Sequence, residues 1–267
     1  MIKSGIIVTC GVFLLLSSGI ACAAEPAAKK DKAPVIGLVL VKGGCFQMGD
    51  VFGGGDKDEL PAHEVCVKDF NLGKYEVTQE QWQKVMGDNP SEFKACGGNC
   101  PVDSVSWDMA QEFIKKLNAL TKKKYRLPTE AEFEFAARSG GKNEKWAGTN
   151  DEATLVEYAW YDKNSGETTH PVGQKKPNGL GLYDMAGNVR EWCQDQYHDG
   201  FYAMSPKNNP ESSEGRVAVE NDPQKQHAQR GGGWHNDSNL NRTVARRHNT
   251  PDSVYSAWGL RLVLPVK

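Results

Sequence analysis

Beyond residue 24 the chain carries five cysteines, Cys45, Cys66, Cys96, Cys100 and Cys193, and these are its stock of sulfur chemistry. In an oxidising compartment such thiols pair. Cys45 and Cys66 lie in two extended stretches flanking a glycine-rich loop, which predicts a long-range bridge. Cys96 and Cys100 close the short loop ACGGNC, whose two glycines permit a tight turn. Alone they supply too few ligands for a metal. Cys193 is left over and is expected to be a buried, inert thiol. Asp56, Asp58 and Glu59 in VFGGGDKDELPAHE offer either a cation site or a solvated acidic loop, and the loop is the expectation. Residues 230–261 contain no cysteine, so whatever that segment does is not thiol chemistry. The chain has no P-loop, no dinucleotide fingerprint and no H-E-x-x-H helix.

These residues need a scaffold, and composition bounds its kind. Residues 1–24 begin with Met1-Ile2-Lys3, run apolar to Leu16 and end in Ala21-Cys22-Ala23-Ala24, the three parts of a secretory signal peptide. The apolar run is shorter than the roughly 20 residues of a membrane-spanning helix, so no span is expected once the signal is removed. Acylation at Cys22 would make a lipoprotein, but Gly19 occupies the place where a large aliphatic residue is usual. Residues 25–36, charged and rich in small residues and proline, read as a flexible tether. Residues 37–267 are long enough to bury a core as one domain. A net charge of −2 argues against a nucleic-acid partner, and 28 glycines with 7 tryptophans suit a loop-rich fold held by aromatic packing.

The local signals divide this domain into a strand-rich start and three helices. Residues 35–48 and 65–75 read as extended, the first with a turn at Gly43-Gly44. Thr78 with Gln81, and Thr129 with Glu132, form capping boxes that open two helices. Ser106 opens a third, with Ala110, Phe113, Ile114, Leu117 and Leu120 assigned to one face. After Ser139 the chain is rich in glycine, asparagine and aromatics and shows little periodicity.

Several phrases are too long to be accidents of composition: GGCFQMGD (43–50), KYEVTQEQW (74–82), PVDSVSWDMAQEF (101–113), YRLPTEAEFEFAAR (125–138), HPVGQKKPNGLGLYDMAGNVREW (170–192), RGGGW (230–234), NTPD (249–252) and GLRLV (259–263). In this order they resemble the formylglycine-generating enzyme family, the sulfatase-modifying factors. The resemblance implies an α+β fold of low regular secondary structure, related to C-type lectin-like folds. It also implies an enzyme that oxidises a sulfatase cysteine to formylglycine with molecular oxygen. In that family two cysteines four residues apart, between the R-G-G-S-W-like phrase and N-T-P-D, hold copper(I), for which thiolates are suitable soft ligands.

Here the stretch 230–242 has neither cysteine, and the distance to NTPD is a few residues shorter. Gly233 replaces a serine, and Arg190 stands where active enzymes have tryptophan. His235 and Asp237 could serve a harder metal but supply only two ligands. Copper is therefore not expected. The family's calcium ligands fall on Asp184, Gly187, Val189 and Glu191, two carboxylates and two backbone carbonyls within one turn. Hard oxygens of this kind suit calcium as a structural ion. A turn held by hydrogen bonds alone is the alternative.

The resulting expectation is an exported protein, periplasmic or secreted, that is not catalytic. It would be a calcium-stabilised binding or accessory protein of the cell envelope, its partner a protein, a peptide or a glycan. Arg190, Trp234, His235 and Arg246 are the candidate binding face, since arginine and aromatic residues dominate such patches; burial in the core is the alternative for Trp234. The competing function is an oxidoreductase on the same scaffold, forming formylglycine or performing an altered metal-dependent oxidation.

Overall fold

Two extended stretches near the start of the domain each break in the middle, and the breaks decide the sheet layout. The computed structural model describes residues 33–213 and 225–266; the expected signal peptide and most of the tether fall outside them. The first stretch divides into β1 (Leu38–Val41) and β2 (Gly44–Met48), the second into β3 (His63–Val67) and β4 (Phe70–Gly73). β2 pairs with β3 antiparallel, bringing Cys45 opposite Cys66, and these two form a disulfide. β1 instead pairs with β4 in a sheet completed by β9 (Val263–Pro265). The chain can cross between the two hairpins because Gly43 has no side chain: a Cβ there would lie 2.3 Å from the Val67 carbonyl oxygen. The first region thus begins at Leu38 rather than at residue 35, where Val35 is 86% exposed, and the second runs over 63–73 rather than 65–75.

The three helices start where their caps predict. α1 (Gln79–Met86) and α3 (Glu130–Ala137) both have complete capping boxes, from Thr78–Gln81 and Thr129–Glu132. α2 (Trp107–Thr121) is capped by Ser106, whose hydroxyl accepts from the Met109 amide. On α2, Ala110, Phe113, Ile114 and Leu117 are buried, but Leu120 is 52% exposed, because the buried stripe leaves the core before the last turn. The Phe113 ring stacks on Trp82 of α1 at 4.9 Å, and Trp192, Trp258 and Leu260 complete this aromatic core.

α3 is different: nearly every residue of it is buried, including Glu130 and Glu134. Buried carboxylates require partners, and arginines supply them. Arg230 reaches both, Arg246 pairs with Glu130, and Arg138 with Glu134. The remaining sheet has the order β7 (Arg247–Asn249), β6 (His227–Arg230), β5 (Arg190–Gln196), β8 (Trp258–Gly259), with β5 and β8 parallel. Long irregular segments link these short elements, which is the α+β architecture of low regular secondary structure that the motifs imply. Cys96 and Cys100 form the second disulfide, and Cys193 on β5 is a buried free thiol. Among the described residues no helix is long and apolar enough to cross a membrane.

Candidate functional site

The turn that feeds β5 is built from backbone conformations that few residues adopt. Asp184, Gly187 and Asn188 all have positive φ, at 56°, 82° and 59°. Asp, Asn and Gly are the residues that tolerate this left-handed region. Gly187 is required twice over, since a Cβ there would come within 2.2 Å of the Trp160 carbonyl oxygen. The Gly187 amide donates to Gly231 (2.8 Å) and the Asn188 amide to Trp160 (2.8 Å). The turn is thereby tied to the start of the cysteine-free segment.

Three carboxyl groups converge beneath it. Glu76, from the phrase before α1, accepts from the Asn188 side chain (2.7 Å) and the Val189 amide (3.0 Å). Asp184 Oδ2 accepts from the Gly173 amide (2.7 Å), while its Oδ1 is buried without any hydrogen-bond partner. Glu191 is gripped by Arg261, whose Nε and Nη2 donate to it at 2.8–3.1 Å. Arg261 also donates to the Gly73 and Tyr183 carbonyls. One guanidinium therefore faces three buried acids. Burial, reinforced by the charges of Asp184 and Glu191, pushes Glu76 well above the usual carboxylate range. Burial likewise pushes Asp184 up to about 6, against the opposing pull of the Gly173 amide and Arg261.

The chemistry of this donor set fits a positive ion. The orphaned Oδ1 of Asp184 lacks a ligand, and the excess negative charge of the three acids would be answered by a divalent cation. Of the four residues implied as calcium ligands, Asp184 presents this open oxygen, whereas both oxygens of Glu191 already serve Arg261. Sequence reasoning missed Glu76 and Arg261. Both lie in phrases that stand out in the sequence, KYEVTQEQW and GLRLV, but nothing local to either phrase places it beside residue 184.

On the other side of the β5 strand start lies the face expected to bind. The Arg190 amide donates to Ala257 (2.7 Å) and the Trp234 amide to Asn188 (2.8 Å), so residues 188–190, 233–236 and 255–258 form one patch. Trp234 is half-buried, its indole N–H donating to the Ser256 carbonyl (3.1 Å) and its ring meeting Phe93 edge-on at 5.4 Å. His235 is also half-buried, its ring against Trp234 and Tyr255. Arg190 is only 9% exposed, and its Nη2 donates to Asn236 Oδ1 (2.8 Å). No carboxylate among the described residues pairs with it. Burial, and secondarily the charge of Arg247, brings its guanidinium down to about 10. The same burial, with Arg190 nearby, lowers the His235 imidazole.

Arg246 does not belong to this patch. It is 1% exposed and ion-paired with Glu130, with its guanidinium over the rings of Tyr202 and Tyr197. A buried carboxylate on α3, invisible in the sequence around residue 246, draws it inward. Cys193 is likewise remote from solvent, and burial pushes its thiol well up. The acidic loop is spoken for as well. Glu59 receives both Nη groups of Arg242 (2.7 and 2.9 Å), Asp56 pairs with Arg247, and Asp58 accepts from the Tyr197 hydroxyl. These three carboxylates come within reach of a single ion, yet each already accepts from a protein side chain.

Comparison with known proteins places this architecture. Residues 23–266 match the family model described as the sulfatase-modifying factor enzyme 1-like domain. The chain is 36% identical over 230 residues to the chaperone protein LppX of Paenibacillus barcinonensis, covering 67% of this chain and 77% of that protein. It is 29% identical over 306 residues to the formylglycine-generating enzyme of Streptomyces coelicolor, covering 90% of this chain and 93% of the enzyme. It spans 39% of the length of a serine/threonine-protein kinase, pkn1, of Chlamydia pneumoniae. Among solved structures, Treponema denticola variable protein 1 superposes with a TM-score of 0.71 at 30% identity, covering 86% of this chain and 95% of that one. The chain belongs to the formylglycine-generating enzyme family of sulfatase-modifying factors.

Proposed function

We propose that this chain is a non-catalytic member of its family, exported to the periplasm or beyond, which binds a peptide, glycan or partner protein of the cell envelope. The observation that carries the reading is the chemistry of the patch around Trp234. Where the resemblance places a copper-binding thiol pair, residues 230–261 hold no sulfur, and the one free thiol of the described residues is buried with its proton firmly held. Arginine, histidine and three aromatic rings occupy the patch instead, a composition that suits binding. A relative named as a chaperone is compatible with a protein client. The test is incubation of the purified protein with a sulfatase peptide, oxygen and copper, followed by mass spectrometry. No aldehyde is expected; a clear yield would overturn the reading in favour of formylglycine formation.

Calcium belongs to the same proposal as a structural ion, held by Asp184, the carbonyls of Gly187 and Val189, and Glu191. Bound there, it supplies the missing positive charge. Its support is the orphaned Asp184 oxygen, with the carboxyls of Glu76 and Glu191 and a single guanidinium close by. Glu191 would have to share its oxygens with Arg261. The remaining work at this site is done by the chain itself: Glu76 fixes Asn188, and Arg261 fixes Glu191 and the Tyr183 carbonyl.

A further inference from the structure

Among the described residues nearly every buried arginine is answered by a carboxylate. Glu130, Glu134, Glu59 and Glu191 each have an arginine, and Arg138, Arg230, Arg242, Arg246 and Arg261 each have a carboxylate. Among the buried arginines of the described residues Arg190 is the exception. It is as buried as a core residue, yet its one side-chain bond is to a neutral amide, and no described carboxylate faces it. Leaving a desolvated guanidinium unpaired is costly. It persists where the charge has a task outside the fold.

The neighbouring side chains point to what that task is. Asn236 Oδ1 accepts from both Arg190 Nη2 (2.8 Å) and the Gly233 amide (3.1 Å). That fixes the amide so that Nδ2, which can only donate, faces His235 Nε2 at 3.1 Å. Nε2 must then be the acceptor, and in the neutral ring the proton sits on Nδ1. His235 Nδ1 is buried and has no partner. The patch therefore holds a guanidinium with most of its donors uncommitted and an imidazole N–H likewise unanswered. Around them stand the rings of Trp234, Tyr255 and Phe93, with Tyr255 45% exposed. The uncommitted groups of Arg190 and His235 are donors, and three aromatic rings stand beside them.

Building on the binding reading above, we propose that Arg190, oriented through Asn236 and supported by His235, is the floor of a subsite for a carboxylate carried on an apolar group, as a peptide presents at its C-terminus. A carboxylate's two oxygens match paired guanidinium donors in one plane. The charge count favours a monoanion, because the second guanidinium nearby, Arg247, is already paired with Asp56. Trp234 and Tyr255 would cover the apolar body.

The test is calorimetric titration of the purified protein with benzoate, its neutral isostere benzamide, and phenyl phosphate. Benzoate is expected to bind at least about tenfold more tightly than benzamide, and phenyl phosphate no more tightly than benzoate. Arg190→Gln is expected to abolish the preference for benzoate, and Arg190→Lys to keep part of it. Equal binding of benzoate and benzamide to the unaltered protein overturns the proposal without recourse to any variant. So does a preference that survives in Arg190→Gln, the absence of binding by all three probes, or tighter binding of phenyl phosphate. Aldehyde formation in the sulfatase-peptide assay would refute the non-catalytic reading while leaving the benzoate preference as a separate result.

Discussion

Arg190 and Arg261 stand within the same small region and illustrate opposite fates of a buried guanidinium. Arg261 holds Glu191 through three short contacts and offsets part of the charge on Glu76 and Asp184. Removing one partner of such a pair strands the others, so Arg261→Met should cost about 3–5 kcal/mol, read as a lowered denaturant midpoint. A loss below about 1 kcal/mol would mean that the acids are neutral and need no countercharge. Arg190 has no such partner, and its burial opposes folding. Arg190→Met should therefore raise stability, by about 1 kcal/mol in the same measurement, as expected where a residue is kept for binding rather than for the fold. A destabilised variant would indicate a structural ion pair that the geometry does not contain. Neither fate can be read from the surrounding sequence: Arg190 has a carboxylate beside it in NVREW yet finds no ion-pair partner, while Arg261 stands between two leucines in GLRLV and is paired.

The helix starts are the most legible elements, because an N-cap is a matter of adjacent residues. Thr129 and Glu132 satisfy each other's backbone donors within four positions, with no help from elsewhere. α3 then carries Glu130 and Glu134 into the arginine network, so a frayed first turn would disturb buried ion pairs as well as the helix. Thr129→Ala is expected to cost about 1–2 kcal/mol. Thr78→Ala, at the head of a helix with an exposed side, should cost less. Equal losses would argue against coupling between the cap and the network. The strands were legible only as extended regions. Where β1 gives way to β2 depends on how closely Gly43 approaches Val67, a contact across 24 positions of sequence. The end of the apolar stripe before Leu120 has a similar origin: helical spacing continues it, but no core residue waits there.

For the molecule as a whole, buried acids set the response to pH. Asp195 on β5 is pushed up to about 8 by burial, and then by the charge of Glu130. Folded protein therefore keeps this proton from pH 4 to pH 8 while the unfolded chain, with its ordinary carboxyl near 3.8, has released it. Stability from this group is full below pH 4 and is lost as pH rises towards 8. Glu59 and Asp103, also raised by burial, act in the same direction. Carboxyls held low, such as Asp50 and Glu130, act below about pH 4.5, outside this window. His235, lowered by partial burial, opposes the trend near its ordinary 6.5 but is a single half-buried group. Urea midpoints measured in chelator should fall between pH 5 and pH 8; a rise would show that Asp195 ionises in the folded state. Calcium bears on the same balance. A fold of short strands and long connections gains from any ion that binds only the folded form. Chelator added to calcium-loaded protein is expected to lower the melting temperature, and an unchanged melt would remove calcium from the proposal.

Local and repeated patterns let the sequence by itself determine the helix caps, the two disulfide pairings, the α+β character and the family, since each rests on residues close together or on phrases long enough to be distinctive. It also located the cysteine-free segment and the turn around Asp184. Only the tertiary structure decided which charges meet. It drew Arg246 into α3, gave Glu191 to Arg261, set Glu76 beneath the turn and left Arg190 without a partner. The reason is physical: each of these buried charges is governed by what it meets across the fold, and those groups lie scores of residues away in the chain.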